Sequence, residues 1–477
     1  MTEFKQRLNL FDATAIVVGS MIGSGIFIVS ADMSRTLGSP GYLLLAWIVT
    51  GVMTIFAAVS FGELAAMMPS AGGHYIYLKE AYNPLTGFLY GWTLFAVIQT
   101  GTIAAVAMAF AKFSGILIPW ISTKNVLFSI GNIHFHTQHL VGIASIAFLT
   151  WVNTRGINES RIVQNIFTWS KIIILIAFVI LGLSLVHGKP AIENFWNASS
   201  VLDGKMVPLT GLALLAAFGS SMVGSIFSAD AWYGVAYASG EVKNAKRNLP
   251  MSLFFGTLIV SVLYVFVNVV YIRALPLHGT PDGTTVLQKG IQFATEDRVG
   301  TAAMESILGH SAEIIMAIVV VISTFGCNNG LIMSAPRVFY AMARDGLFFK
   351  KMGELNSRSV PGYALIVQGV WATLLCLSGT YSNLLDYVIT AVLIFHALTI
   401  SGIFVLRRKK PDAERPYRAF GFPVIPGIFI LFCLYMITVL LINKPMYTWP
   451  GLIIVLSGIP VYFIWNRNKL KTHNRIS

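Results

Sequence analysis

Charged side chains are scarce in this chain. Asp, Glu, Lys and Arg make up 11% of its 477 residues, against roughly 25% in soluble domains. With 56% hydrophobic residues and a mean hydropathy of +0.72, that scarcity excludes a soluble globular protein. Acid is scarcer than base, 20 residues against 33, and the net charge is +13. A surplus of base can mark a nucleic-acid partner, but here the cations sit in short loops between apolar runs, so no nucleic acid is expected. Cysteine is nearly absent. Cys327, Cys376 and Cys433 lie inside apolar runs without metal-ligand spacing, which excludes a disulfide framework and leaves them as packing residues. There is no HExxH pair and no phosphate-binding loop of the Walker type. Neither a metal nor a cofactor is expected, and this chain alone is not an ATP-driven pump. Ser24 stands in a small-residue run, but no intramembrane histidine or second acid has an evident spacing to it, which argues against an intramembrane enzyme. A channel would need pore-lining rings or a filter segment, and none is visible. No cleavable leader is expected, because Asp12 and several glycines interrupt the first apolar run.

Apolar runs of spanning length, roughly 20 residues each, are abundant. About twelve occur, at 11–31, 41–66, 85–118, 139–153, 161–186, 208–239, 251–273, 311–341, 361–379, 382–406, 422–443 and 448–466. They predict an all-α integral membrane protein forming a single transmembrane domain. The longest polar connections, 119–138, 187–207 and 274–310, all alternate to one side. The opposite side holds most of the cations: Lys5, Arg7, Lys79, Arg155, Arg161, Lys243, Lys246, Arg247, Arg337, Arg358 and the Arg407–Lys410 run. By the positive-inside bias both termini are cytoplasmic and the number of spans is even. The Arg407–Lys410 run reads as a topology anchor, with anionic-lipid binding as its alternative.

The first span is broken in its middle, where Met21-Ile22-Gly23-Ser24-Gly25-Ile26 replaces the leucines of a plain anchor. An unpaired backbone group in hydrocarbon costs several kcal/mol, so a helix loosens there only where the freed groups face protein, water or a ligand. A second interruption stands in the sixth span, Phe227-Ser228-Ala229-Asp230-Ala231-Trp232, and carries a carboxylate. The first span enters from the cytoplasm and the sixth from outside. Spans one to five and six to ten therefore read as two inverted copies, each opening on a broken helix, with a substrate between them. The amides of Ser24, Gly25 and Ile26 suit a carboxylate. The carbonyls of Met21, Phe227 and Ser228, together with Asp230, suit an ammonium group, and Ile22 and Gly23 complete the first break. Such a site fits the main-chain ends of an α-amino acid.

The chain resembles the amino acid–polyamine–organocation transporter superfamily, and within it the L-type amino acid transporter group. The resemblance rests on Gly19 to Phe27, Gly62-Glu63-Leu64, Gly72 to Leu78, Gly87 to Trp92, Gly240 to Pro250 and Ser323 to Gly330, in that order along nearly the whole chain. It implies a LeuT-like five-plus-five inverted repeat over 11–186 and 208–406, with discontinuous helices one and six, and two additional helices over 422–466. It also implies alternating access and transport of L-amino acids, or of related amines and polyamines, by exchange or proton coupling. Phe227 matches the family's aromatic gate and Trp232 a tryptophan just past the break. Lys171, a cation in the middle of span five, matches a lysine that takes the place of a sodium ion. Its ammonium would bridge the break in span one and span eight, which implies sodium-independent transport. Asp230 replaces the usual small residue and admits three readings: contact with a substrate amine, titration during transport, or a structural cap. Glu63 is expected to pair with basic loop residues. His396 in span ten is expected to be a buried, carbonyl-bonded histidine, with proton sensing as its alternative. Asn328 and Asn329 would bond across helices or reach Lys171. The resemblance and the short termini imply a bacterial-type protein of the plasma (inner) membrane, surrounded by lipid. Residues 119–138 hold no cysteine, so no disulfide-linked heavy subunit is expected.

Overall fold

The computed structural model describes residues 4–130, 133–186, 195–202, 205–377 and 381–473. Among them, ten helices are long and apolar enough to cross a membrane. These are Leu10–Ile28, Pro40–Met67, Pro84–Leu117, Ile157–Leu185, Gly211–Ser228, Ala245–Ala274, Ala312–Arg344, Val388–Lys409, Val424–Asn443 and Thr448–Asn466. The other two expected runs are helical as well. Thr137–Thr154 carries Gln138, His139 and Asn153 toward its ends, and Gly362–Cys376 is short. In chain order these helices are called spans one to twelve, with Thr137–Thr154 the fourth and Gly362–Cys376 the ninth.

Helix starts follow local chemistry. Span one opens on a reciprocal capping box between Asn9 and Asp12, which satisfies two donors left over at a helix N-terminus. Spans two and three each begin with a proline at N1 or N2, behind a capping Ser39 or Asn83. Within span three, Leu94–Ile98 widens into a π-helical turn.

Span one is the core of the molecule. Of its apolar window 94% is buried, against 22% for span twelve. It packs against spans five, seven and eight, while span seven also lies along span two. Spans eleven and twelve lie at the periphery, where exposed Leu431, Ile442, Ile453 and Phe463 suit hydrocarbon.

The polar connections meet in two groups. Arg35, after span one, donates to Gln292 O and pairs with Asp297, while Ser39 donates to Phe195 O and Lys112 to Glu296 O. The connections 119–138 and 187–207 carry antiparallel hairpins, Val126–Ile130 with Ile133–His136 and Ser199–Leu202 with Lys205–Pro208, and residues 187–194 lie outside the described residues. The connection 274–310 is more ordered than its composition suggested and ends in the helix Val299–Leu308. On the opposite face the strand-like Arg7-Leu8 pairs with Glu241-Val242-Lys243, and Arg358 donates to Arg155 O.

Candidate functional site at the two helix breaks

Span one stops at Met21 and resumes at Gly25. The chain bends through Ile22 and Gly23, whose N–H groups donate to Val18 O and Met21 O. Span six stops at Ser228 and a half-helix resumes at Gly234–Tyr237. The turn between them is tight: Asp230 N donates to Phe227 O at 3.2 Å, and Ala231 takes a left-handed φ of +65°.

The two breaks touch. A Cβ added at Gly25 would lie 2.0 Å from Ser228 Oγ and 3.1 Å from Ser228 Cα, so only glycine permits this approach. Tyr264 of span seven ties the breaks together, its hydroxyl lying 3.0 Å from Met21 O and 3.2 Å from Ser228 O. Each carbonyl has two lone pairs, so Met21 O is filled by this hydroxyl and Gly23 N, whereas Ser228 O keeps an acceptor site beside the hydroxyl. Tyr271 donates to Ile26 O on the second half of span one.

Lys171 is fully buried. Its Nζ lies 2.6 Å from Gly19 O, 2.6 Å from Ile22 O and 3.5 Å from Ser323 O, which places it between span one and span eight. Ser323 Oγ reaches Ile22 O and Gly23 O at 3.1 and 3.2 Å, and Cys327 Sγ lies 3.0 Å from Ser20 O. The carbonyls that the break removes from the helical ladder are thus taken up by side chains of neighbouring spans.

Phe227 is the penultimate residue of span six and is 9% exposed. Trp232 lies beyond the break and is buried edge-on against Phe61 and Tyr233. Asp230 accepts from Tyr233 Oη at 3.1 Å, and one of its oxygens lies 3.9 Å from His396 Nε2. His396 packs among Trp232, Tyr233 and His74. Its neighbour on the polar side is therefore the Asp230 carboxylate, a juxtaposition the linear chain conceals across 166 positions. His74 stacks on Tyr90 in the short helix His74–Ala81, outside the spans. Burial, and then the nearby His396, push its imidazole well below the ordinary value.

Other expected residues serve the scaffold. Glu63 makes a bidentate pair with Arg407 at 3.0 and 2.7 Å and accepts from Ala419 N, as its place beside the basic loops suggested. Asn329 bonds across helices to Ser160 O, Gln164 and Asn153 rather than to Lys171. The Asn328 amide finds no partner among the described residues.

Tyr264 escaped sequence reasoning, as did the direct contact of Ser323 with the break. The available signal was a hydroxyl in the middle of an apolar span, since a buried hydroxyl seeks a partner.

This architecture has relatives. The family described as Amino acid permease matches residues 8–465. The chain is 29% identical to the mouse (Mus musculus) b(0,+)-type amino acid transporter 1, covering 100% of this chain and 91% of that one. It is 31% identical to the human (Homo sapiens) large neutral amino acids transporter small subunit 2, over 96% of this chain and 80% of the other. The human cystine/glutamate transporter is 28% identical over 98% of this chain and 87% of its own.

Proposed function

The chain belongs to the amino acid permease family, and from that premise we propose that it carries L-amino acids across the plasma membrane by alternating access. Amino acid transport by a multi-pass membrane permease, and not an enzymatic reaction, follows from the family itself. The further reading concerns how this molecule does it. In this reading the two inverted repeats of five spans each meet at the two breaks, at the centre of the bilayer, with both termini cytoplasmic.

One observation carries the reading: Gly25 lies against Ser228, and one hydroxyl, that of Tyr264, bridges Met21 O and Ser228 O. Broken helices in contact offer amides from the start of the outer half of span one. They offer a carbonyl from the end of the outer half of span six, beside Met21 O, which the Tyr264 hydroxyl and Gly23 N already engage. A zwitterion has a carboxylate and an ammonium to match, and helix-end partial charges favour each. Met21 to Ile26 and Phe227, Ser228 and Asp230 form the site; Phe227 gates it and Trp232 backs it.

Lys171 supports the sodium-independent reading. A fixed ammonium lying 2.6 Å from two carbonyls of the break occupies ground where a cation would otherwise be held. Exchange and proton coupling both remain compatible with it. The cargo's side chain depends on the pocket walls; the relatives' names alone span large neutral amino acids and the cystine/glutamate pair.

The test is uptake by proteoliposomes of the purified protein, using twenty labelled amino acids, at two pH values, with and without sodium. Saturable uptake competed by excess unlabelled substrate, stimulated by amino acid on the trans side and indifferent to sodium, is the expected result. Uptake that neither saturates nor shows trans-stimulation would indicate a channel and overturn the carrier reading. A strict sodium requirement would overturn the role given to Lys171.

A further inference from the structure

Three of the four cations of the Arg407–Lys410 run, the sequence's first candidate for lipid contact, are engaged within the protein. Arg407 holds Glu63, Lys409 donates to Ala81 O and Lys410 pairs with Glu80. A different basic surface carries a stronger case.

At the N-terminal end of span seven a groove of about 630 Å³ opens on the surface of the helix bundle. Its walls include Met251, Phe254, Phe255 and Phe420, and its rim carries Lys246 and Arg247. The aromatic walls are turned outward: Phe254, Phe255 and Phe420 are 36%, 42% and 71% exposed. The back of the groove is closed, since a Cβ at Gly62 would lie 3.1 Å from the Tyr417 ring and 3.2 Å from Pro250. The loop forming its far wall is pinned by the bond from Ala419 N to Glu63 Oε2, at 2.7 Å.

The two materials of this groove point to one occupant. Met251, Phe254 and Phe255 belong to a spanning helix and would lie beside hydrocarbon, while Phe420 comes from the loop of the far wall. Its cations lie about two helical turns from Phe254 and Phe255, nearer the polar face and at headgroup depth. Arg247 is exposed and has no side-chain partner among the described residues. Lys246 pairs only with Glu414, with both side chains more than half exposed, so solvent weakens that pair and leaves the cation available. Lys243 and Arg418 are exposed on the neighbouring segments and add to the positive field. A soluble anion would leave the aromatic walls unused, and a neutral lipid would leave the cations unmatched.

We propose that this groove binds an anionic phospholipid of the leaflet on the N-terminal side, with acyl chain on Phe254 and Phe255 and headgroup phosphate on Lys246 and Arg247. Span seven follows the half-helix Gly234–Tyr237 through residues 238–244. A lipid held here therefore braces the segment that anchors the second break. The proposal concerns the scaffold and stands apart from which amino acid is carried.

The experiment uses the full chain purified in neutral detergent. Native mass spectrometry records retention of phosphatidylglycerol and phosphatidylcholine, and thermal melting is followed with each lipid and with inorganic phosphate. Phosphatidylglycerol is expected to be retained over phosphatidylcholine by roughly ten- to thirtyfold, the two cations acting together. K246A/R247A should bring the two lipids close to parity. Phe255→Ala should weaken both, and K350A/K351A, which removes exposed cations elsewhere, should leave the preference intact. The melting temperatures of the lipid-free variants report their folding. Equal retention of both lipids by the wild type would overturn the proposal. So would an unchanged preference in K246A/R247A, or protection by inorganic phosphate equal to that by phosphatidylglycerol.

Discussion

An ammonium has three protons to donate, and in hydrocarbon each needs an acceptor. At Lys171 the acceptors are Gly19 O, Ile22 O and Ser323 O, two of them carbonyls exposed by the break in span one. Lys171→Met keeps most of the volume and removes the donors; Ile22 O retains Ser323 Oγ, but Gly19 O loses its ammonium, at about 1–3 kcal/mol. The expected outcome is a lower melting temperature in detergent and an initial uptake rate reduced at least roughly tenfold; wild-type kinetics in this variant would remove the residue from the mechanism. His74 makes a second prediction at this scale. Its imidazole is held below the ordinary 6.5 by burial and by His396. The unfolded chain takes up a proton near 6.5 that the folded protein refuses, so this stability is present above that pH and is lost as the solution acidifies below it. His74→Phe is expected to narrow the fall in melting temperature between pH 7.5 and pH 5.5, and an unchanged fall would locate the acid sensitivity elsewhere.

The helix break is the element on which the proposed transport turns, and its two instances differ in how plainly they were written. The first was legible from Gly19, Gly23, Ser24 and Gly25, because small residues in a run of spanning length have no other use than backbone approach or unwinding. The helix stops at Met21 and resumes at Gly25, within the run they mark. The second was legible from one carboxylate, Asp230, since no hydrophobic helix buries an acid without a reason. What neither run could state is the contact between them, as Gly25 and Ser228 are two hundred positions apart. Gly25→Ala would drive a methyl against Ser228 Oγ and Cβ, at 2.0 and 2.8 Å. Overpacking of that kind costs about 1–3 kcal/mol. Uptake should fall in Gly25→Ala and recover in part when Ser228→Gly is added. A double variant no better than the single one would show that the approach of the two breaks is not what the glycine serves.

At the scale of the whole molecule, the polar face that holds the N-terminal strap is tied by ion pairs at very different depths. Arg337 grips Glu241 through Nε and Nη2 at 2.9 and 3.2 Å, with both side chains at most 2% exposed, while Lys246–Glu414 is open to solvent. The buried pair stands where the N-terminal strap meets the chain leaving the second break, for Arg7 N and Leu8 N both donate to Glu241 O. Removing one member of a buried pair leaves the other uncompensated, a loss of about 3–5 kcal/mol. Glu241→Gln should therefore lower the melting temperature far more than Glu414→Gln, and adding Arg337→Met to Glu241→Gln should restore part of it. Equal shifts for the two glutamines would mean that the inner pair is not sealed from water.

Hydropathy and loop charge were enough to determine an α-helical membrane protein, its approximate spans and the two places where helices had to open. Those properties follow from the cost of bare backbone in hydrocarbon, which acts on each segment separately. Tertiary structure alone decided which groups besides Lys171, already expected there from the resemblance, satisfy the opened backbone: Tyr264 across both breaks and Ser323 on the first; it also set His396 beside Asp230. A spanning segment has to be apolar whichever neighbour it meets. The direction in which a lone hydroxyl, ammonium or imidazole points is settled only when the helices pack around span one.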